Sequence, residues 1–167
     1  MHPRFHHMGV TVRDIEASYR FYTQLVGMHV WDQDRELGVA APLERETITS
    51  EQGHEFLAVK SDAFDELTNN PGSEIKYVNL QSSDGALILQ LIEYVSGGAG
   101  ALELDHNRAG SLHFSFFVDD VEAVWAKVEQ LDHVEAVSKV VQITPSMRSF
   151  YVADPDGVPV EFIEVAR

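Results

Sequence analysis

The chain has no cysteine among its 167 residues. Disulfides, thiolate nucleophiles and zinc–thiolate sites are therefore excluded, and the absence fits a cytoplasmic protein. Positive charge is scarce as well: 12 Lys and Arg stand against 27 Asp and Glu, for a net charge of −15. A surface that acidic repels nucleic-acid phosphates and anionic lipid, so neither is an expected partner. An anionic substrate would need a local Arg, Lys or metal ion to reverse the field. No apolar run is long enough to span a bilayer. The N-terminus lacks the charged-then-apolar pattern of a secretory signal, so none is expected. What the chain does have is eight histidines in an acidic, cysteine-free background, which makes a nitrogen/oxygen metal site the first feature to look for.

A second feature is a repeat. Setting His7 against His113, an offset of 106, also aligns Val12 with Val118, Asp14 with Asp120, Glu16 with Glu122, Ala17 with Ala123 and Leu25 with Leu131. One gapless offset carries all of these matches. Both copies give the same physical reading. Residues 5–12 and 112–118 are rich in β-branched and aromatic residues, as strands are. Asp14 and Asp120 then stand where a helix N-cap belongs, with Glu16 and Glu122 in the first turn near the positive end of the dipole. Apolar residues follow at helical spacing: Ile15, Tyr19, Tyr22 and Val26 in one copy, and Val121, Val124, Trp125, Val128 and Leu131 in the other. Gly27 is a natural stop for the first helix.

The repeat has a second part. "QLIE" (90–93) and "EFIE" (161–164) each end a strand-like segment that follows an Asp-Gly turn signal, Asp84-Gly85 and Asp156-Gly157. Strands are expected near 28–34, 75–81 and 86–94 in the first half, and near 138–143, 148–153 and 158–165 in the second. The first half is longer. Its additional residues fall mostly between 36 and 74, where an acidic run (44–51), a further strand-like segment (54–60) and a loop (68–74) are found. The acidic run reads as a solvated loop. The Gly-rich stretch 95–111 reads as a linker. The expected organisation is thus a module over 1–94, a linker over 95–111 and a second module over 112–167.

Four polar residues interrupt apolar strands at equivalent places in the halves: His7 and His113 on the first strands, Gln90 and Glu161 on the last. Because strand side chains alternate faces, only some residues of each strand can share a cavity. Two imidazoles, a carboxylate and an amide oxygen suit a borderline divalent cation such as Zn, Co, Ni, Mn or Fe. A lone strand histidine is more often a structural residue, but two at matched repeat positions shift the balance toward ligation. Glu161 without a partner would be a costly charge between Val160 and Phe162. His6 is the wrong-face neighbour of His7. Glu93 and Glu164 read as solvated residues on the opposite face, and Phe114, Phe116, Phe117 and Trp125 as core.

The segments "HHMGVTVRDIEASYRFYTQLVGM" (6–28), "LQLIEY" (89–94), "SLHFSFFVDDVEAV" (111–124) and "YVADPDGVPVEFIE" (151–164) resemble the vicinal oxygen chelate superfamily, which includes glyoxalase I, methylmalonyl-CoA epimerase, extradiol dioxygenases and bleomycin-resistance proteins. The resemblance covers nearly the whole chain. It implies an α+β fold of two βαβββ modules in pseudo-twofold arrangement, whose curved sheets form a cleft. It also implies His7, Gln90, His113 and Glu161 as metal ligands, a set most like the epimerase or glyoxalase I, and a homodimer. "SEQG" (50–53) resembles the neighbourhood of the epimerase general base and nominates Glu51. No cluster of Arg and Lys stands ready for a CoA or glutathione tail: Arg35, Arg45, Lys60, Lys76, Arg108 and Arg148 are scattered.

The expected function is a metal-dependent lyase or isomerase acting on a small carbonyl or acyl-thioester substrate through a stabilised enediolate, with Glu161 and Glu51 as proton carriers. One rival is an Fe(II) extradiol-type dioxygenase, since His7, His113 and Glu161 alone are a 2-His-1-carboxylate triad. Gln90 as a fourth ligand argues against it. The other rival is a ligand-sequestering protein like those of bleomycin resistance, and the full ligand set argues against that one.

Overall fold

The computed structural model describes residues 2–32, 45–98, 100, 109–131 and 133–166. The chain divides into two compact units, Met1–Gly100 and Ala101–Arg167, and the division falls inside the Gly-rich stretch. Both units are mixed α+β, each with its own sheet.

Unit 1 begins with β1 (Met8–Val12) and α1 (Ile15–Arg20), which widens into a π-type turn over Phe21–Leu25. Asp14 caps α1, its carboxylate accepting from the Glu16 and Ala17 amides at 3.0 and 3.1 Å. Gly27 takes the left-handed conformation that ends the helix, with φ 83°. Then come β2 (His29–Val30), β3 (Arg45–Thr49), β4 (Glu55–Val59), α2 (Asp62–Thr68), β5 (Glu74–Gln81) and β6 (Ile88–Ser96). The sheet order is β1-β6-β5-β4-β3, with β2 also on β5. β1 runs parallel to β6, and the other pairs are antiparallel.

Unit 2 contains β7 (Phe114–Phe117), α3 (Val121–Val128), β8 (Glu135–Ala136), β9 (Val141–Thr144), β10 (Met147–Ala153) and β11 (Pro159–Val165). Its order is β7-β11-β10-β8, with β9 also on β10, and β7 runs parallel to β11. Asp120 caps α3 as Asp14 caps α1, accepting from Glu122 and Ala123 at 3.0 and 3.1 Å. Even the cap dihedrals agree: φ −142°, ψ 104° at Asp14 and φ −145°, ψ 103° at Asp120.

The topologies match element by element. β2 and β4 lie along one edge of β5 as β8 and β9 lie along one edge of β10. The strand without a counterpart is therefore β3, not the 54–60 segment. β3 occupies the acidic run expected to be a loop. It reads poorly as a strand because Ile48 is its one apolar residue, and it can be so polar because it sits at the sheet edge. The 28–34 strand reduces to His29–Val30, and residues 33–44 lie outside the described residues.

Each sheet buries one face against its helix. In unit 1, Val10, Val12, Val78, Leu80, Leu89 and Leu91 meet Ile15, Phe21 and Tyr22, all buried. In unit 2, Phe114, Phe150, Val152, Val160 and Phe162 meet Val121 and Val128, and the Trp125 ring stands edge-on to Phe150 at 5.2 Å. Full burial of such a side chain contributes about 1.5–3 kcal/mol. Phe117 departs from the expected core. Alternation along β7 turns it to the other face, where it is 80 % exposed.

Candidate metal centre

The strand register aligns the four expected ligands in pairs. In unit 1, Gly9 of β1 stands beside Gln90 of β6, and His7 lies two residues before Gly9. In unit 2, Ser115 of β7 stands beside Glu161 of β11, and His113 lies two residues before Ser115. Residues two apart on an extended chain share a face. His7 and His113 each fall one residue before the strand on which they were expected, β1 starting at Met8 and β7 at Phe114; carried one residue outward, the alternation sets each histidine on the Gln90 or Glu161 side of its own sheet.

In unit 2, Glu161 stands among hydroxyls. Ser115 Oγ donates to its Oε2 and Ser149 Oγ to its Oε1, both at 2.6 Å. Tyr151, directly opposite on β10, also hydrogen-bonds the carboxylate. Burial disfavours the charge on Glu161, yet the Ser115, Ser149 and Tyr151 hydroxyls and the His113 imidazole outweigh it and hold the carboxyl below its usual range. The same surroundings raise Tyr151: first burial, then the Glu161 charge. The His113 ring stands edge-on to Tyr151 at 5.8 Å.

In unit 1, the matching strand position is neutral. Gln90 Nε2 donates to Asn79 Oδ1 at 3.1 Å, and Asn79 occupies the place on β5 that Tyr151 occupies on β10. With its nitrogen engaged, Gln90 presents its amide oxygen, the atom a cation would take. His7 and His6 meet through their Nδ1 atoms at 2.6 Å, and the His6 ring stands against Trp31 at 6.0 Å. Burial, then the neighbouring His6, lowers His7 below its ordinary value and favours the neutral imidazole that ligates metals. Glu51 lies on the exposed turn joining β3 to β4, and β5 separates that hairpin from β6. Among the described residues, no three His, Asp or Glu side chains are gathered closely enough to hold an ion. By chemical type the residues nonetheless suit a borderline divalent cation: an imidazole and an oriented amide oxygen in unit 1, an imidazole and an ionised carboxylate in unit 2.

Sequence reasoning missed the supporting residues Asn79, Ser115, Ser149 and Tyr151. The signal was available, since each falls on an alternating position that faces Gln90 or Glu161. It also misread Glu93 and Glu164. They do point to the opposite face, but they meet the helices rather than water. Glu93 Oε2 accepts from the Ile15 amide at 2.9 Å, and Glu164 Oε2 from the Val121 amide at 2.8 Å. Lys76 pairs with Glu93 and Arg148 with Glu164, each at 2.8 Å. Helix N-termini leave amides unsatisfied and carry positive potential, so a carboxylate from the last strand answers both needs.

The Glyoxalase/Bleomycin resistance protein/Dioxygenase superfamily model matches residues 4–162. An uncharacterized protein of Bacillus subtilis strain 168, YwbC, is 26 % identical over 164 residues, covering 98 % of this chain and 99 % of its own. Among solved structures, a glyoxalase family protein from Bacillus cereus superposes with a TM-score of 0.72 at 17 % identity, covering 100 % of this chain and 97 % of that one. Trypanothione-dependent glyoxalase I of Leishmania major gives 0.56 at 19 % identity, over 98 % and 87 %. The fosfomycin resistance protein FosX of Listeria monocytogenes, complexed with Mn(II) and sulfate, gives 0.54 at 16 % identity, over 98 % and 93 %. With the repeat, the matched half-sites and a family match across almost the whole length, this chain belongs to the Glyoxalase/Bleomycin resistance protein/Dioxygenase superfamily.

Proposed function

We propose that the protein is a divalent-metal-dependent lyase or isomerase that moves a proton next to a carbonyl in a small carbonyl or acyl-thioester substrate. His7, Gln90, His113 and Glu161 would hold the ion, Zn, Co, Ni, Mn or Fe, and the active form would be a homodimer. The observation that carries the reading is the matched register: a histidine and a last-strand oxygen donor at the same place in each unit. FosX with Mn(II) among the structural neighbours supports a divalent ion.

A bound ion would supply Lewis acidity, which lowers the cost of negative charge developing on the substrate carbonyl. The remaining work belongs to the chain. Glu161, ionised and flanked by Ser115 and Ser149, is the base we assign to the α-proton, a role it takes when loosened from the ion. Glu51, on its exposed turn, is the second candidate. His7 is kept neutral beside His6, and Asn79 keeps the Gln90 oxygen oriented. Gln90 adds no charge, which leaves the centre net positive and suited to an anionic oxygen.

Isotope exchange tests the reading. Small 2-oxo and acyl-thioester compounds are incubated in D₂O with metal-loaded protein, and the α-proton is followed by NMR. Exchange is expected with at least one compound. It should be lost in Glu161→Gln and kept in Glu51→Gln. Oxygen uptake with Fe(II) and a catechol, without proton exchange, would instead establish the dioxygenase alternative. Silence in both assays, with tight binding of a bulky ligand, would establish sequestration.

A further inference from the structure

On the face of the unit 1 sheet that carries Gln90, a cavity of about 280 Å³ opens beside Asn79. Its walls include Trp31, Arg45, Thr47, Leu57, Tyr77 and Asn79. Thr47, Leu57 and Tyr77 form one cross-strand row over β3, β4 and β5, so alternation puts all three on the cavity side. Arg45 and Thr47 come from β3, the strand that unit 2 lacks. Among the described lining residues, the additional strand thus brings the cavity its positive charge.

Two hydrogen bonds fix the walls. Arg45 Nη1 donates to the Tyr77 hydroxyl at 3.1 Å, and the Trp31 amide donates to the Asn79 carbonyl at 2.8 Å. Because the Tyr77 oxygen accepts from Arg45, its own hydrogen is a donor for another group. A guanidinium and a phenol hydroxyl side by side are a carboxylate-recognising pair, the guanidinium supplying planar, charge-assisted donors. Trp31, Leu57 and the Tyr77 ring offer a flat apolar wall.

Two acidic side chains, Asp32 and Glu55, also line the cavity. Among the described lining residues one cation stands against two carboxylates, a balance that favours a ligand with a single anionic group on Arg45 over a molecule with several. The volume, about 280 Å³, falls just below the usual range of ligand pockets, ~300–1,000 Å³, and so suits a small molecule.

We infer that this cavity is a specificity site for a small monocarboxylate with a flat apolar body, read by Arg45 and Tyr77 and stacked on Trp31. The assignment rests on the proposed centre only in naming its substrate class: Asn79 joins the cavity wall to Gln90, so an acid seated here reaches toward that ligand.

The test uses chelator-treated, metal-free protein, so that its outcome is independent of the metal centre. Phenylpyruvate, its methyl ester and acetyl-CoA serve as probes, with binding followed by calorimetry. The wild type should bind the acid at least about tenfold more tightly than the ester, as expected for one charge-assisted pair, and should bind acetyl-CoA more weakly than the acid. Arg45→Met should abolish the preference for acid over ester, Arg45→Lys should keep part of it, and Tyr77→Phe should reduce it by a smaller factor with the ring still in place. Circular dichroism verifies the fold of each variant. Equal binding of acid and ester, undiminished acid binding in Arg45→Met, tighter binding of acetyl-CoA, or no acid binding at millimolar concentration would overturn the assignment. Failure here in a protein that loads metal removes the substrate class alone. Acid binding in a protein that never loads metal removes the centre alone.

Discussion

In unit 2, three hydroxyls surround the Glu161 carboxylate; in unit 1, Gln90 at the matching position is held by one amide from Asn79. On the helix side the units do not differ in this way. Both cap the helix with an aspartate, and both send a last-strand glutamate to the first helical amide while a cation on the adjacent strand pairs with it. Helix ends and buried charges demand partners in every copy, so that device persists. The other face carries no such demand. There the units differ: unit 2 carries a carboxylate with its hydroxyls, and unit 1 a neutral amide oxygen near a cavity.

Substitutions at the paired positions probe this asymmetry. Glu161→Ala should reduce divalent-metal affinity more than Gln90→Ala, because it removes the charged donor; titration with Zn or Mn gives the order. The supporting residues come next. Ser115→Ala with Ser149→Ala frees the Glu161 carboxylate, and a loss of roughly 10–100-fold in affinity is expected, as for outer partners of metal ligands. Asn79→Ala should fall at the low end of that range. Affinity unchanged in the double serine variant would show that the hydroxyls are not part of the centre.

Effects on stability are smaller. The Val121 amide, then Arg148, holds Glu164 below the ordinary carboxyl value of 4.5. A lowered folded-state value means stability that is fully present above 4.5 and lost as pH falls through the folded-state value. Glu164→Gln should therefore lower the melting temperature at neutral pH and flatten the acid side of the stability curve. The smallest effect is also the most symmetric. Asp14→Ala and Asp120→Ala should each cost about 1 kcal/mol, as lost N-caps do. The two losses should be equal within error in urea unfolding, and a clear inequality would mean that the caps only look alike.

Much of the fold was legible in the sequence. The 106-residue offset, the Asp caps and the Asp-Gly turns are local signals that the folded chain keeps, and β5, β6, β10 and β11 begin and end within two residues of the expected strands. β3 was not legible, because an edge strand can be almost wholly polar and still pair with β4. The four candidate ligands were nominated because polar residues in apolar strands stand out. Their partners were not, because Ser115, Ser149, Tyr151 and Asn79 become neighbours of Glu161 and Gln90 only through cross-strand register. Glu93 and Glu164 were misread for the same reason. The helix amides they meet are 78 and 43 residues away in sequence.

The central proposal is that His7, Gln90, His113 and Glu161 hold a divalent ion, and metal content per chain measures it. Wild type, His7→Ala and His113→Ala are purified in parallel and analysed by inductively coupled plasma mass spectrometry. About one divalent ion per chain is predicted for the wild type, with a large loss in each variant, because removing either histidine leaves an open and poorly held site. Wild-type metal content in both variants would contradict the account.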